Sequence, residues 1–88
     1  MVPSAPFKHL QPGRRYVVSV AFHDYDGALH PEGESWIFRG HSFLPYDDGL
    51  SLFVAPTEEA LRHIRLQWRP EAQAEVIDNL ERFIAPVG

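Results

Sequence analysis

The sequence predicts a small α+β domain that is mainly β: an antiparallel curled sheet or an SH3-like barrel of four to five strands with one C-terminal amphipathic helix. Four segments alternate apolar and polar residues at the period of two that is typical of strands, and only the last segment has a helical period. Prolines and turn residues separate the segments at short intervals, which favours consecutive strands joined as a meander. An open sheet with the helix packed across it and a closed barrel both fit this pattern.

The first two strands are predicted over residues 14–24 and 34–44. In the first, β-branched and aromatic side chains recur at every second position, and a turn at residues 24–27 closes it. In the second, Gly40 stands where the apolar side chains change parity, which predicts a β-bulge or a sharp bend.

Two further strands are predicted over residues 50–54 and 64–68, and residues 55–61 between them fit either a helical turn or a loop. The helix is predicted to follow Pro70, which suits a first helical position. Its apolar stripe consists of Val76, Ile77, Leu80, Phe83 and Ile84. The predicted core includes Trp36, Phe38, Leu52, Leu66 and Leu80.

The length and composition of the chain limit the number of domains and the classes of protein to which it can belong. Its 88 residues suffice for one modest core, which predicts a single globular domain at residues 7–88 behind a loose tail at residues 1–6. The absence of cysteine excludes a disulfide scaffold, a thiolate zinc site and a cysteine nucleophile. The net charge of −4 argues against nucleic-acid binding, which needs a basic surface. Neither a signal sequence nor a long apolar segment is visible, so we expect a cytoplasmic protein without membrane contact.

No catalytic motif is recognisable, and we expect neither enzyme activity nor a cofactor. None of the five serines lies in a G-x-S-x-G sequence, and the glycines stand alone rather than in a phosphate-binding loop. The paired acids at residues 47–48 and 58–59 lie outside the clear strands, in wet positions that do not raise a carboxyl pKa for acid catalysis.

A group of candidate metal ligands consists of His23, Asp26, His30 and Glu34. Two imidazoles and two carboxylates within twelve positions suit zinc or iron. Their spacing does not place two ligands on one helical face, and the Asp-x-Asp-Gly sequence lacks the later ligands of a calcium loop. A hairpin turn whose Asp side chains bind nearby backbone N–H groups is the simpler interpretation.

Two turns that carry both acids and tyrosines form the candidate binding surface. Their residues are Asp24, Tyr25, Asp26, Tyr46, Asp47 and Asp48. Aromatic rings are hard to bury in turns, and functional residues concentrate on loops held by a rigid scaffold. If the turns converge, they form an acidic aromatic patch suited to a basic or proline-rich partner, whose binding weakens with salt. Alternatively, each tyrosine lays its ring on its own hairpin.

A second polar surface is predicted along the fourth strand. Basic residues cluster at Arg62, His63, Arg65 and Arg69, and the last three of them share one polar face with Gln67. Such a surface suits an anion or an acidic protein, or is simply solvated or paired with the acidic helix.

Five sequence features together resemble a small bacterial family known only as a domain of unknown function. They are F-x-D-Y-D-G at residues 22–27, His30, G-E-x-W-x-F at 33–38, F-L-P-Y-D-D-G-L at 43–50 and L-Q-W-R-P-E at 66–71. The resemblance extends from about Phe7 to Ile84 and implies a stand-alone bacterial domain of this size. It implies no activity and no catalytic residues.

We therefore expect a non-catalytic binding module for an unidentified protein or peptide, with the acidic aromatic turns as its binding surface. One alternative is a small metal- or ligand-binding protein that uses His23, Asp26, His30 and Glu34. Another is an antitoxin-like or immunity-like inhibitor of a basic enzyme, a role that suits a small acidic domain.

Overall fold

The computed structural model describes residues 5–87, which form a five-stranded antiparallel sheet, a separate two-stranded hairpin and two short helices. The strands are β1 (Arg15–Val18), β2 (Phe22–His23), β3 (Leu29–His30), β4 (Ser35–Leu44), β5 (Gly49–Thr57), β6 (Ala60–Gln67) and β7 (Ile84–Pro86). The helices are α1 (Ala74–Asp78) and α2 (Leu80–Phe83). The prediction of a mainly β, antiparallel fold is confirmed.

The main sheet has the strand order β6-β5-β4-β1-β7, and every neighbouring pair is antiparallel. Within residues 5–87 the edge strands β6 and β7 do not pair with each other, so the sheet is open and an SH3-like barrel is not confirmed. Strands β2 and β3 form a small hairpin that is joined to the sheet by side chains and by single backbone hydrogen bonds.

The long strands β4, β5 and β6 follow the sequence prediction closely. The bulge predicted at Gly40 is confirmed, because the β4–β5 pairing shifts between Phe38 and Gly40. Residues 55–61 form neither a helical turn nor a loop: β5 continues to Thr57, and a two-residue turn at residues 58–59 leads directly into β6.

The predicted strand over residues 14–24 is divided in two. Strand β1 ends at Val18, and the next two N–H groups along the chain donate to the Phe83 carbonyl instead of to a neighbouring strand. Val20 is therefore exposed, and β2 begins only at Phe22.

The prediction of one C-terminal helix is wrong. Asn79 separates α1 from α2 with non-helical backbone angles (φ −121°, ψ 35°), and its side-chain and backbone N–H groups both donate to the Glu75 carbonyl. Ile84, which the helical period places on the apolar stripe, instead starts β7 and pairs with Val18 at the edge of β1. This pairing satisfies backbone groups of β1 that a longer helix would leave without partners.

One cluster of buried side chains from the sheet, the hairpin and the helices forms the core. The predicted core residues are all nearly inaccessible to solvent: Trp36, Phe38, Leu52, Leu66 and Leu80. Neither of the helices described in residues 5–87 has the length and apolar character that a membrane span requires.

The predicted tail covers residues 1–6, of which residues 1–4 lie outside the described part of the chain. The next residue, Ala5, is exposed, and its carbonyl accepts a hydrogen bond of 3.1 Å from the His41 ring. The bounds of the tail and of the domain stay predictions.

Candidate functional site

Two carboxylates surround one imidazole in a cluster that we call the clasp (Asp24, His30 and Glu34). The Nε2 atom of His30 lies 2.8 Å from Asp24 Oδ2, and its Nδ1 atom lies 2.6 Å from Glu34 Oε2. Asp24 directly follows β2, His30 ends β3, and Glu34 directly precedes β4. The clasp therefore joins the β2–β3 hairpin to the main sheet.

Local structure orients Asp24 and His30. Asp24 lies two residues after the buried Phe22, and strand alternation turns both side chains inward. Its Oδ1 atom accepts a hydrogen bond of 2.9 Å from the Ala28 N–H, which holds the turn between β2 and β3. The His30 ring stacks on Phe22 with a centroid distance of 5.0 Å.

The protonation of the clasp follows from its geometry. Each nitrogen of the His30 ring faces a carboxylate, and only the protonated ring donates to both at once, so this geometry favours the positively charged form. Burial opposes this charge, but the hydrogen bonds to Asp24 and Glu34 outweigh burial and raise the pKa of His30 above its ordinary 6.5. Burial also opposes ionisation of Asp24, but the hydrogen bonds from His30 and Ala28 hold its pKa below the ordinary 3.8. Two carboxylates and one imidazolium give the clasp a net charge of −1.

The clasp forms one wall of a cavity of about 420 Å³, which lies within the range of roughly 300–1,000 Å³ typical of small-molecule sites. Buried apolar side chains at its base are Trp36, Val54 and Ile64. Strand β6 contributes Arg62 and His63 to its lining.

Only two of the four predicted metal ligands, His30 and Glu34, are brought together. His23 is exposed on β2, and Asp26 lies 3.5 Å from an arginine of β6. The carboxylates of the clasp approach opposite nitrogens of one ring, so their donor atoms do not converge on one point. In the part of the chain that the structure describes, no group of three or more His, Asp or Glu side chains is positioned to hold a metal ion.

The two predicted turns contribute to one surface, which we call the turn surface (Tyr25, Leu44, Tyr46 and Asp47). Tyr25, Leu44 and Asp47 line a shallow cavity of about 50 Å³. Tyr46 is 94% exposed, Leu44 54% and Tyr25 50%. The Tyr25 N–H donates to the Arg65 carbonyl at 2.7 Å, and the Arg65 guanidinium lies 5.7 Å from the centre of the Tyr25 ring. The backbone of Tyr25 is therefore fixed, whereas the Tyr46 side chain is almost fully accessible.

Most of the predicted acidic residues are engaged with cations. Asp24 is only 6% exposed and belongs to the clasp. Asp26 and Asp48 each pair with an arginine, at 3.5 Å and 3.0 Å respectively. Asp47 forms no ion pair within residues 5–87, and its Oδ1 atom accepts a hydrogen bond from the N–H of Gly49. The turn surface therefore presents aromatic and apolar side chains, Arg65 and Gln67 also line its cavity, and within residues 5–87 Asp47 is the predicted acid that forms no ion pair.

Sequence reasoning assigns Asp24 to an exposed turn and does not connect it with His30. The available signal is parity, because Asp24 shares the even positions of Tyr16 and Phe22, which face the core. Arg62 is predicted as part of a basic cluster, but it pairs with Val54 across the β5–β6 ladder and so faces the cavity rather than the outer surface.

The chain belongs to a family described as a domain of unknown function (DUF3601), whose model matches residues 6–87. Its structure is similar to that of an integron cassette protein from the mobile metagenome of Vibrio cholerae, with 32% sequence identity and a TM-score of 0.89. The match covers 94% of this chain and 91% of that one. A search of curated proteins gives no match. The predicted membership of a family of unknown function is confirmed.

Proposed function

We propose that this domain is a non-catalytic binding module for a protein or peptide, and that the partner docks on the turn surface. The observation that carries this proposal is the exposure of three large side chains from the two turns: Tyr25 and Leu44 line one shallow cavity, and Tyr46 precedes Asp47, which also lines it. Large side chains that are held apart from the core on a rigid scaffold, close to one another, mark interaction sites more often than isolated exposed residues do.

The chemistry of the turn surface favours an extended peptide segment that is rich in proline and carries one basic residue. The flat Tyr25 ring, which lines a shallow groove, suits the preformed extended conformation of proline-rich segments. The cavity of about 50 Å³ is too small for a whole ligand but accepts one small side chain. Asp47, which forms no ion pair within residues 5–87, suits a single Lys or Arg.

The charges of the turn surface favour a peptide-binding module over an inhibitor of a basic enzyme. Such an inhibitor needs a broad acidic face to attract its target. Here Asp26 and Asp48 are neutralised by arginines, so the surface offers little long-range attraction. We propose in addition that the peptide binds in a groove like that of SH3 domains. The protein is further proposed to be bacterial and to act in the cytoplasm.

A peptide panel tests the proposal directly. Fluorescently labelled proline-rich peptides, with and without a flanking arginine, are titrated with the complete chain while fluorescence anisotropy is recorded. We expect Tyr46→Ala to weaken the best peptide at least about tenfold, because central exposed aromatics dominate binding energy. The thermal midpoint should stay within about 2 °C of the wild type, because the side chain is nearly fully solvated.

Leu61→Ala is the matched control, since Leu61 is 55% exposed on β6 and does not line the cavity beside Tyr25. It should bind every peptide as the wild type does. Because a single carboxylate is involved, affinity should fall by less than about threefold when salt rises through the physiological range. The proposal fails if no peptide binds, or if Tyr46→Ala binds the selected peptide unchanged.

A further inference from the structure

The cavity beside the clasp is separate from the turn surface and has three chemically distinct parts. Its acidic wall is the clasp, its base is apolar, and Arg62 projects from β6 on the side of the buried Val54. Cavities of this size with a few polar groups above an apolar base are the usual form of small-molecule sites.

The acidic wall offers one preorganised acceptor. Both oxygens of Asp24 are engaged, by the Ala28 N–H and by His30. Glu34 uses only Oε2, which accepts from the His30 ring at 2.6 Å and from the Trp36 indole at 3.2 Å. Within residues 5–87 the Glu34 Oε1 atom accepts no hydrogen bond, and the side chain is 29% exposed. A carboxylate held in this way presents an oxygen to a ligand cation without losing side-chain freedom on binding.

The cationic part is Arg62. Its guanidinium forms no ion pair and no side-chain hydrogen bond within residues 5–87, in contrast to Arg65 and Arg69, which pair with turn acids. A guanidinium binds a carboxylate with two parallel hydrogen bonds, which suits recognition of a carboxylate-bearing ligand.

We propose that this cavity binds a small zwitterion with an apolar body, of the class of an apolar α-amino acid. The ligand ammonium group donates to Glu34, its carboxylate accepts from Arg62, and its apolar side chain lies against Pro56 and Ala28 above the buried base. A ligand with one charge of each sign matches the anionic wall and the cationic side of the cavity, and neither charge is left without a partner.

Three probes of nearly equal shape test this assignment by isothermal titration with the complete chain. L-Leucine carries both charges, L-leucinamide lacks the carboxylate, and 4-methylvalerate lacks the ammonium group. We expect L-leucine to bind at least about tenfold more tightly than either of the others, because each loses one charged hydrogen-bonded contact.

Two variants connect the binding to the residues. Arg62→Gln should weaken L-leucine about tenfold or more and leave the weak affinity for L-leucinamide unchanged. Arg14→Gln removes the same charge from an exposed arginine that does not line the cavity, and should bind like the wild type. Glu34→Gln should weaken L-leucine and spare 4-methylvalerate.

Three results overturn the proposal. The first is the absence of saturable L-leucine binding up to about 10 mM, a concentration at which even a millimolar ligand is detected. The second is equal binding of the three probes, and the third is L-leucine binding that Arg62→Gln does not change. None of these results bears on peptide binding, because Arg62 does not line the shallow cavity of the turn surface.

Discussion

Replacing His30 by glutamine breaks the clasp while keeping a side chain of similar size. Glutamine is uncharged and its amide group serves one carboxylate, whereas the imidazolium serves Asp24 and Glu34 at once. The His30→Gln variant therefore leaves at least one carboxylate without its charged partner.

The structure sets the size of the effect. A hydrogen bond between charged groups contributes about 1.5–3 kcal/mol. Asp24 is 6% exposed and cannot replace the lost bond with water, whereas Glu34 is 29% exposed and is partly solvated, so the Asp24 bond dominates. We expect the free energy of unfolding to fall by about 2–3 kcal/mol near pH 5.5. For a domain of this length, that corresponds to a thermal midpoint lower by about 8–24 °C.

The effect depends on pH in a defined direction. The raised pKa of His30 means that its stabilising contribution is complete below pH 6.5 and is lost as the pH rises through the higher pKa of the folded state. The lowered pKa of Asp24 means that its contribution is complete above pH 3.8 and is lost as the pH falls through the lower pKa of the folded state. The clasp therefore stabilises the fold most between these two values.

Urea denaturation of the wild type and of His30→Gln, across about pH 4 to 9, measures the difference in unfolding free energy. The difference should be largest below pH 6.5 and should shrink as His30 loses its proton at higher pH. His23→Gln is the matched control, because it removes an exposed histidine from the same hairpin and should change stability by less than about 0.5 kcal/mol. A difference that stays constant over the whole range would refute the charged clasp.

Two further predictions concern the core and the bulge. Leu80→Ala should cost about 2–5 kcal/mol in urea denaturation, because Leu80 is 1% exposed and its removal leaves a cavity; a cost below about 1 kcal/mol would show that α2 does not pack as described. Gly40→Val should cost about 1–3 kcal/mol, because Gly40 is buried with a φ of 157°; an unchanged midpoint and an unchanged heteronuclear NMR spectrum would show that the bulge tolerates a branched side chain.

The central strands were predictable because the alternation that defines a strand lies within the strand's own sequence. A strand with one buried face repeats apolar residues at every second position, and Trp36, Phe38, Leu52 and Leu66 follow this rule. The interruption at Gly40 was visible for the same reason, since a bulge changes parity within the strand itself.

The C-terminal segment was not predictable from its period. Ile84 fits a helical stripe that begins at Val76, but it also fits the first position of a strand. Asn79 ends the first helix by binding the Glu75 carbonyl, and the open edge of β1 then offers backbone partners to the residues that follow. Whether Ile84 continues the helix or starts a strand depends on β1, which lies nearly seventy positions earlier in the chain. A local sequence pattern contains no information about that pairing.

The clasp was only partly predictable. His30 and Glu34 were predicted only as two of four candidate metal ligands, and their proximity to Asp24 depends on where the hairpin turns back. The parity of the predicted strand places Asp24 on the side of Tyr16 and Phe22, but a turn assignment for Asp24 hides this signal, and no local pattern shows that His30 lies on the same side. Arg62 shares the parity of the buried Ile64 and Leu66, but the strand was predicted to begin at residue 64, whereas β6 begins at Ala60, so this alternation was not extended to Arg62.

The β2–β3 hairpin contributes residues to both proposed sites. Both sites therefore depend on the attachment of this hairpin to the sheet. The hairpin contributes Tyr25 to the turn surface and two members of the clasp to the cavity wall. It contains only two paired residues on each strand, so it opens at a lower free energy than the five-stranded sheet. Its attachments include the clasp on one side and the Tyr25 N–H bond of 2.7 Å to β6 on the other. Loss of the clasp therefore weakens both sites together, whereas the Tyr46 and Arg62 substitutions each change one surface and leave the hairpin in place.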